Sequence, residues 1–265
     1  MNTAVHALAR RVIITRPVAQ ARVWQAQLAA AGMDAVVAPV MCIEPVALPE
    51  EKQALKNVIL DFNNFNLAIF VSQNAVRYGV QWLDKYWPQL PLGIKYYAVG
   101  ERTERLLAAE LPIEPIRPVT DGSGHNGMTS ETLLQRLLPC VEPGIKVLIF
   151  RGCGGRAYLG DQLAERGCQV AYAELYHRRL PRDATEKLAF LSLQQNDILC
   201  VHSGESLKNL VECLKVLALP NWPEMTLLVP SARVATEAKK LGFKKIHQAE
   251  NASDQAMSLA LKLLL

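Results

Sequence analysis

Six short segments of this chain set small polar or glycine residues directly after an apolar, β-branched run: Thr15-Arg16-Pro17, Ser72-Gln73-Asn74, Gly100 with Thr103, Arg151-Gly152 with Gly154-Gly155-Arg156, Ser203-Gly204, and Ser231. Where such a run is a strand and the next segment a helix, the turn presents the first helical N–H groups. These have no partner inside the helix and lie at the positive end of its dipole, so anions bind there. A single Ser, Thr or Asn at a turn is also the ordinary helix cap. Several such turns lining one cleft would make a surface of donors suited to a ligand with many carboxylates and poorly suited to an apolar one.

The segment Gly152-Cys153-Gly154-Gly155-Arg156-Ala157 also fits the dinucleotide pattern G-x-G-x-x-A, with Glu174 lying 22 residues beyond Gly152. A nicotinamide-dependent dehydrogenase is therefore the competing enzyme reading. Against it, the chain continues through Leu175-Tyr176-His177-Arg178-Arg179, and the corresponding turn at Arg16-Pro17-Val18-Ala19-Gln20 has no glycine. A carboxylate bound in the same turn would gain charge-assisted bonds from Arg151 and Arg156. Cys153 could be a nucleophile at a helix start, but no histidine with an orienting acid is expected at a matching strand end. His125, in the turn-rich stretch Asp121 to Gly127, reads as a solvated loop or as a lid over a cleft. Tyr176 near the end of a long strand is either an amphipathic strand tyrosine or a phenol held at a site.

The elements that must position these residues follow from periodicity. Strands are expected at Arg11–Thr15, Asp34–Ile43, Asn66–Ser72, Lys95–Gly100, Glu114–Arg117, Lys146–Arg151, Gln169–Tyr176, Asp197–Ser203, Thr226–Pro230 and Lys245–Gln248, with a helical stretch between most of them. That alternation means βα units and parallel sheets. Gly32, Gly167 and Gly242 fall where left-handed helix caps belong.

Arg11-Val-Ile-Ile-Thr-Arg16 aligns with Lys146-Val-Leu-Ile-Phe-Arg151, 135 residues later, and the same offset carries Gln27-Leu-Ala29 onto Gln162-Leu-Ala164 and Gly32 onto Gly167. A second block matches Phe70-Val-Ser72 to Val201-His-Ser203 and Ala98-Val-Gly100 to Leu228-Val-Pro230. The chain reads as two similar α/β halves, each with one long strand, Met33 to Val46 and Gln169 to Pro181; periodicity allows either a simple split near residue 140 or long strands that cross between lobes, and strand length with repeat symmetry favours the crossing. On that reading residues 1–40 and 178–265 form one discontinuous lobe and residues 41–177 the other.

A chain of 265 residues, half of them hydrophobic and a fifth charged, can bury two cores. The net charge of +4 is dispersed, without the basic run that nucleic-acid binding needs, and no apolar stretch reaches the length of a spanning helix. Without a signal peptide the expectation is a cytoplasmic protein with no membrane partner. The six cysteines form no CxxC pair and sit largely in apolar runs, so reduced, buried thiols are expected and neither disulfides nor a metal.

Taken in order, Ile14-Thr-Arg-Pro17, Phe70-Val-Ser-Gln-Asn-Ala75, Ala98-Val-Gly100 with Thr103, Ser130-Glu131 with Leu133-Leu134, Arg151-Gly152 with Gly155-Arg156, Leu175-Tyr176, the Ser203 turn, Pro230-Ser231, and Asp254 with Met257 resemble the uroporphyrinogen-III synthase family from Val12 to about Ala260. The chain departs from the usual pattern at Val71-Ser72, where a Thr-Ser pair is common, and at Ala232-Arg233, where a further hydroxyl often occurs. The resemblance implies two flavodoxin-like or Rossmann-like lobes with parallel sheets, joined by a two-stranded β-ladder, with the active site in the cleft between them. It implies a monomer with no cofactor that closes the linear tetrapyrrole hydroxymethylbilane into a ring, and it allows a transient hand-over from the preceding pathway enzyme. Tyr176 matches the position credited with assisting loss of the hydroxyl, and Ser130 joins the strand-end residues above as a substrate contact. The rival outside the enzymes is a two-lobed binder of small anions, which has the same duplicated architecture.

Overall fold

The computed structural model describes residues 10–112, 130–139 and 141–265. The expected strand Glu114–Arg117, the stretch containing His125, and Cys140 lie outside the described residues. By its contacts the chain divides into one unit made of Met1–Ile43 and Arg179–Leu265 and a second made of Glu44–Arg178.

The first unit holds a sheet of β1 (Val12–Ile14), β2 (Ala35–Val37), β8 (Ile198–Cys200), β9 (Thr226–Val229) and β10 (Lys245–Gln248), in the order β2-β1-β8-β9-β10 and parallel throughout. Helices α1 (Val18–Ala30), α7 (Ala184–Phe190), α8 (Gly204–Val216), α9 (Ala232–Leu241) and α10 (Asp254–Lys262) follow the strands. Both faces of the sheet are covered, which is why its strands are continuously apolar. Val12, Ile14, Ile198 and Cys200 pack with Trp24 and Leu28 of α1 and Met257 and Leu261 of α10. Ile13, Leu199, Leu227 and Val229, on the opposite face, pack with Leu188, Leu207, Leu210, Leu214, Val234 and Ala238.

The second sheet, which lies in the second unit except for Cys42, Ile43 and Arg179, holds β3 (Cys42–Pro45), β4 (Leu67–Phe70), β5 (Lys95–Ala98), β6 (Lys146–Gly152) and β7 (Gln169–Arg179) in the order β3-β7-β6-β4-β5. The unit's helices are α2 (Pro49–Leu60), α3 (Gln73–Tyr86), α4 (Glu101–Glu110), α5 (Ser130–Leu137) and α6 (Tyr158–Glu165). On one face Leu67, Ile69, Val147 and Ile149 meet Leu133, Leu137, Leu159 and Leu163. On the other, the rings of Phe70 and Phe150 stack at 4.3 Å, and Gly79 of α3 lets the helix close onto them.

The internal repeat is visible in the strand order. Pairing β1 with β6, β2 with β7, β8 with β4 and β9 with β5 turns β2-β1-β8-β9 into β7-β6-β4-β5. In each unit the order reverses beside the first strand of the repeat, and such a switch point is where open α/β sheets bind ligands. The caps repeat too: Gly32 (φ 78°) and Gly167 (φ 81°) both take the left-handed conformation just beyond their helices.

One expected strand is not continuous. Met33 to Val46 splits into β2, in the first sheet, and β3, in the second. Between them Pro39 has no N–H to donate, while Ala38 and Val40 donate to the carbonyls of Ile14 and Thr15, so the ladder ends there. The other long strand, β7, is a single run of 11 residues.

Candidate active site

In the second unit, parallel pairing places the carboxyl ends of β4, β5, β6 and β7 on one edge of the sheet. Ser72 follows β4 and caps α3, its Oγ accepting the Ala75 N–H at 3.1 Å. Gln73 and Asn74, both half-buried, are the first residues of that helix. Gly100 (φ 89°) precedes α4, and Thr103 is buried in its first turn. Ser130 is the first residue of α5.

The centre of this edge is the meeting of β6 and β7. A bulge at Arg151/Gly152 shifts the register so that Gly152 lies opposite Tyr176. The Tyr176 ring then covers Gly152 so closely that a Cβ there would stand 2.6 Å from Cε2. The phenol oxygen lies 2.9 Å from Ser72 Oγ, the ring is 5.7 Å from that of Tyr78, and the carbonyl of Tyr176 accepts the Cys153 N–H at 2.8 Å. Burial raises the phenol above its ordinary pKa, and the Ser72 hydrogen bond and the Arg178 charge oppose that rise.

Arg151 is committed within the unit. Its guanidinium pairs with Glu174 at 2.9 Å, donates to the carbonyls of Gly155 and Arg156 at 3.3 and 3.5 Å, and lies 3.6 Å over the Tyr172 ring. It therefore shapes the turn through Gly154 and Gly155 from below. The same pair occupies the Glu174 carboxylate that a dinucleotide ribose would need, so the dehydrogenase reading is not supported. Arg156 and Gly154 are exposed.

The expectation that no histidine with an orienting acid would stand near Cys153 is corrected by the structure. His177 Nε2 lies 3.8 Å from Cys153 Sγ and 2.7 Å from Glu51 Oε1. Glu51 sits in the first turn of α2, 126 residues away in sequence, so nothing local announced the contact. The cluster still does not make a nucleophile. The nitrogen facing the thiol is the one whose N–H donates to the carboxylate, and the Cys153 thiol is pushed up by burial and by Glu174 and Glu51.

In the first unit the ends of β1, β8 and β9 gather Thr15, Arg16, Pro17, Ser203, Gly204 and Ser231 on one edge. Thr15 is fully buried, and its hydroxyl donates to the Cys200 carbonyl at 2.7 Å, clamping β1 to β8. Ser203 caps α8 by accepting the Ser206 N–H at 3.0 Å, and Ser231 caps α9 by accepting the Val234 N–H at 3.5 Å. Pro17 stands at the start of α1, and Gly204, buried, begins α8.

Arg16 pairs with Asp254, at the start of α10, and donates to Gln20 Oε1 at 3.2 Å, while its Nε is buried without a partner among the described residues. His202 follows β8, and both its ring nitrogens are buried with no hydrogen-bond partner among the described residues. Trp24 meets it edge to face at 5.0 Å. Burial and the neighbouring Arg16 charge lower its pKa to about 3. Sequence reasoning passed over His202, although it stands one residue before a strand-end serine.

The sequence matches a family model described as Uroporphyrinogen-III synthase HemD over residues 22–258. It is 32% identical over 255 residues to the uroporphyrinogen-III synthase of Salmonella typhimurium and 29% identical over 258 residues to that of Escherichia coli, in both cases across 95% of this chain and 99% of the relative. In fold it is similar to crystal structures of uroporphyrinogen III synthases from Thermus thermophilus and Helicobacter pylori. The TM-score is 0.61 for each, at 19% and 18% identity, with 97% of this chain covered and 98% and 100% of theirs. A family match that spans most of the chain, together with full-length relatives of one name, places the switch-point edges just described in a known context: this chain belongs to the uroporphyrinogen-III synthase family.

Proposed function

We propose that the chain converts linear hydroxymethylbilane to uroporphyrinogen III, a cyclising lyase step of haem biosynthesis in which the hydroxymethyl oxygen leaves as water and the terminal pyrrole is turned over. The observation that carries the reading is the arrangement at Tyr176: a phenol fixed by Ser72 beside a glycine turn, on a sheet edge lined with helix N-termini.

The chemistry asks for control more than for reactivity. The pyrrole nitrogen can itself expel the hydroxyl, and the linear molecule closes unaided to the uninverted isomer. An enzyme must hold the chain so that the substituted carbon of the last ring attacks the methylene, giving a spiro intermediate that reopens and recloses with that ring reversed. Backbone N–H groups at the strand-end turns suit the many carboxylates. The Tyr176 hydroxyl donates a hydrogen bond to the departing hydroxyl. No electrons are gained or lost, so a buffer free of nicotinamide nucleotide suffices. The chain acts as a monomer on a free small molecule.

The test is incubation of purified protein with fresh hydroxymethylbilane in such a buffer, followed by identification of the ring isomer. Uroporphyrinogen III is expected. A protein that only binds the substrate yields the spontaneous, uninverted isomer alone, and that result would sink the proposal.

A further inference from the structure

The geometry points to Ser72 as a positioning residue whose hydroxyl donates to the Tyr176 oxygen and thereby turns the phenol O–H outward, to the substrate hydroxyl that leaves. The inference rests on the activity proposed above and gives the serine a role other than holding a carboxylate.

Ser72 Oγ makes two hydrogen bonds among the described residues: it accepts the Ala75 N–H at 3.1 Å, and it meets Tyr176 Oη at 2.9 Å. The Ser72–Tyr176 contact has two hydroxyl hydrogens and room for only one of them. If tyrosine donates, Ser72 Oγ accepts twice and the serine hydrogen has no acceptor among the described residues. If serine donates, the order is Ala75 N–H to Ser72 Oγ, then Ser72 O–H to Tyr176 Oη, so the serine oxygen accepts on one side and donates on the other. Head-to-tail chains of this kind strengthen one another, because an oxygen that accepts becomes a better donor. This chain starts at the N-terminus of the 14-residue helix α3, whose positive end favours electron density drawn toward it.

The second arrangement leaves the phenol hydrogen as the free end of the chain. The Tyr176 ring cannot turn away: Gly152 supports one side of it, and the peptide is tied by the Cys153 N–H to the Tyr176 carbonyl. Fixing the ring and occupying the phenol lone pair from the serine side leaves the O–H to rotate into the remaining direction. The serine thus performs two tasks with one oxygen, capping the helix and orienting a proton donor.

The test compares Ser72→Ala, Ser72→Thr, Ser72→Asp, Tyr176→Phe and the Ser72→Ala/Tyr176→Phe double variant by isomer-specific turnover, after wild-type protein has been shown to form the inverted isomer. That prior result separates failure of this inference from failure of the proposed activity. Ser72→Ala is expected to lower kcat about tenfold with KM within about twofold, the signature of an interaction lost on the way to the transition state. Threonine, which keeps cap and donor, restores the rate. Aspartate keeps the cap acceptor but has no hydrogen to give, so it retains a folded protein with low kcat, which covers the case in which the alanine variant folds poorly. The double variant should be no slower than Tyr176→Phe alone. A raised KM at unchanged kcat in Ser72→Ala, full activity in Ser72→Asp, or an undiminished serine effect in the Tyr176→Phe background would each overturn the assignment.

Discussion

The phenol ring of Tyr176 stands in the space that a side chain at Gly152 would need, with Cε2 and Cζ at 2.6 and 2.9 Å from the position of a Cβ. Both residues are buried, so neither can step aside into solvent. Gly152→Ala is expected to displace the ring, break its alignment with Ser72, and cost about 1–3 kcal/mol of stability, as overpacking does. Urea unfolding together with isomer-specific turnover checks this; an alanine variant of normal rate and stability would show that the ring is free to move.

Arg151 behaves differently, because its bonds go to Glu174 and to the carbonyls of the turn. Arg151→Ala should lower the thermal midpoint and loosen the turn while leaving measurable formation of the inverted isomer. Gly152→Val should be the more damaging of the two. Should the folded arginine variant be dead and the valine variant nearly normal, recognition by backbone donors fails and a point-charge account takes its place.

In the first unit the side chains of Arg16 and Asp254 are only 13% and 16% exposed. Asp254→Asn leaves a guanidinium whose Nε already has no partner among the described residues, beside His202. A loss of about 1–3 kcal/mol is expected, the cost of stranding a buried donor. Denaturant midpoints of the variant and of Arg16→Met test it, and a neutral Asp254→Asn would show that the pair is solvated in solution.

His202 makes stability depend on pH in a known direction. Its pKa falls from 6.5 to about 3 on folding, through burial first and the Arg16 charge second. Below pH 6.5 the unfolded chain takes up a proton that the folded one refuses, so stability falls as pH drops from 6.5 toward 3 and is independent of this group above 6.5. The full effect is on the order of 5 kcal/mol at the acid end. His202→Phe, which keeps the contact with Trp24, should flatten this limb and move acid unfolding to lower pH. An unchanged acid limb would remove His202 from its cause.

What could be read in the chain was local or periodic. The apolar runs Val12–Ile14 and, within β6, residues 147–150 are strands because two covered faces require uninterrupted hydrophobic residues. Ser72, Ser203 and Ser231 stand where helices begin because a hydroxyl there accepts an N–H that nothing else can satisfy. The repeat could be aligned because each half builds the same units in the same order. Even the break between β2 and β3 is present locally in Pro39, which has no N–H to continue the ladder.

The pairings that make a site out of those turns join residues far apart along the chain: Ser72 with Tyr176 across 104 positions, Glu51 with His177 across 126, and Arg16 with Asp254 across 238. No local pattern encodes them. They depend on strand order, on the bulge at Arg151/Gly152 that sets Tyr176 opposite a glycine, and on which helix start lies over which strand end. The same hydroxyl that propensity assigns to a helix cap acquires its partner only when β4 and β7 flank β6, because hydrogen-bond chemistry is decided within about 3 Å and sequence spacing does not specify distance on that scale.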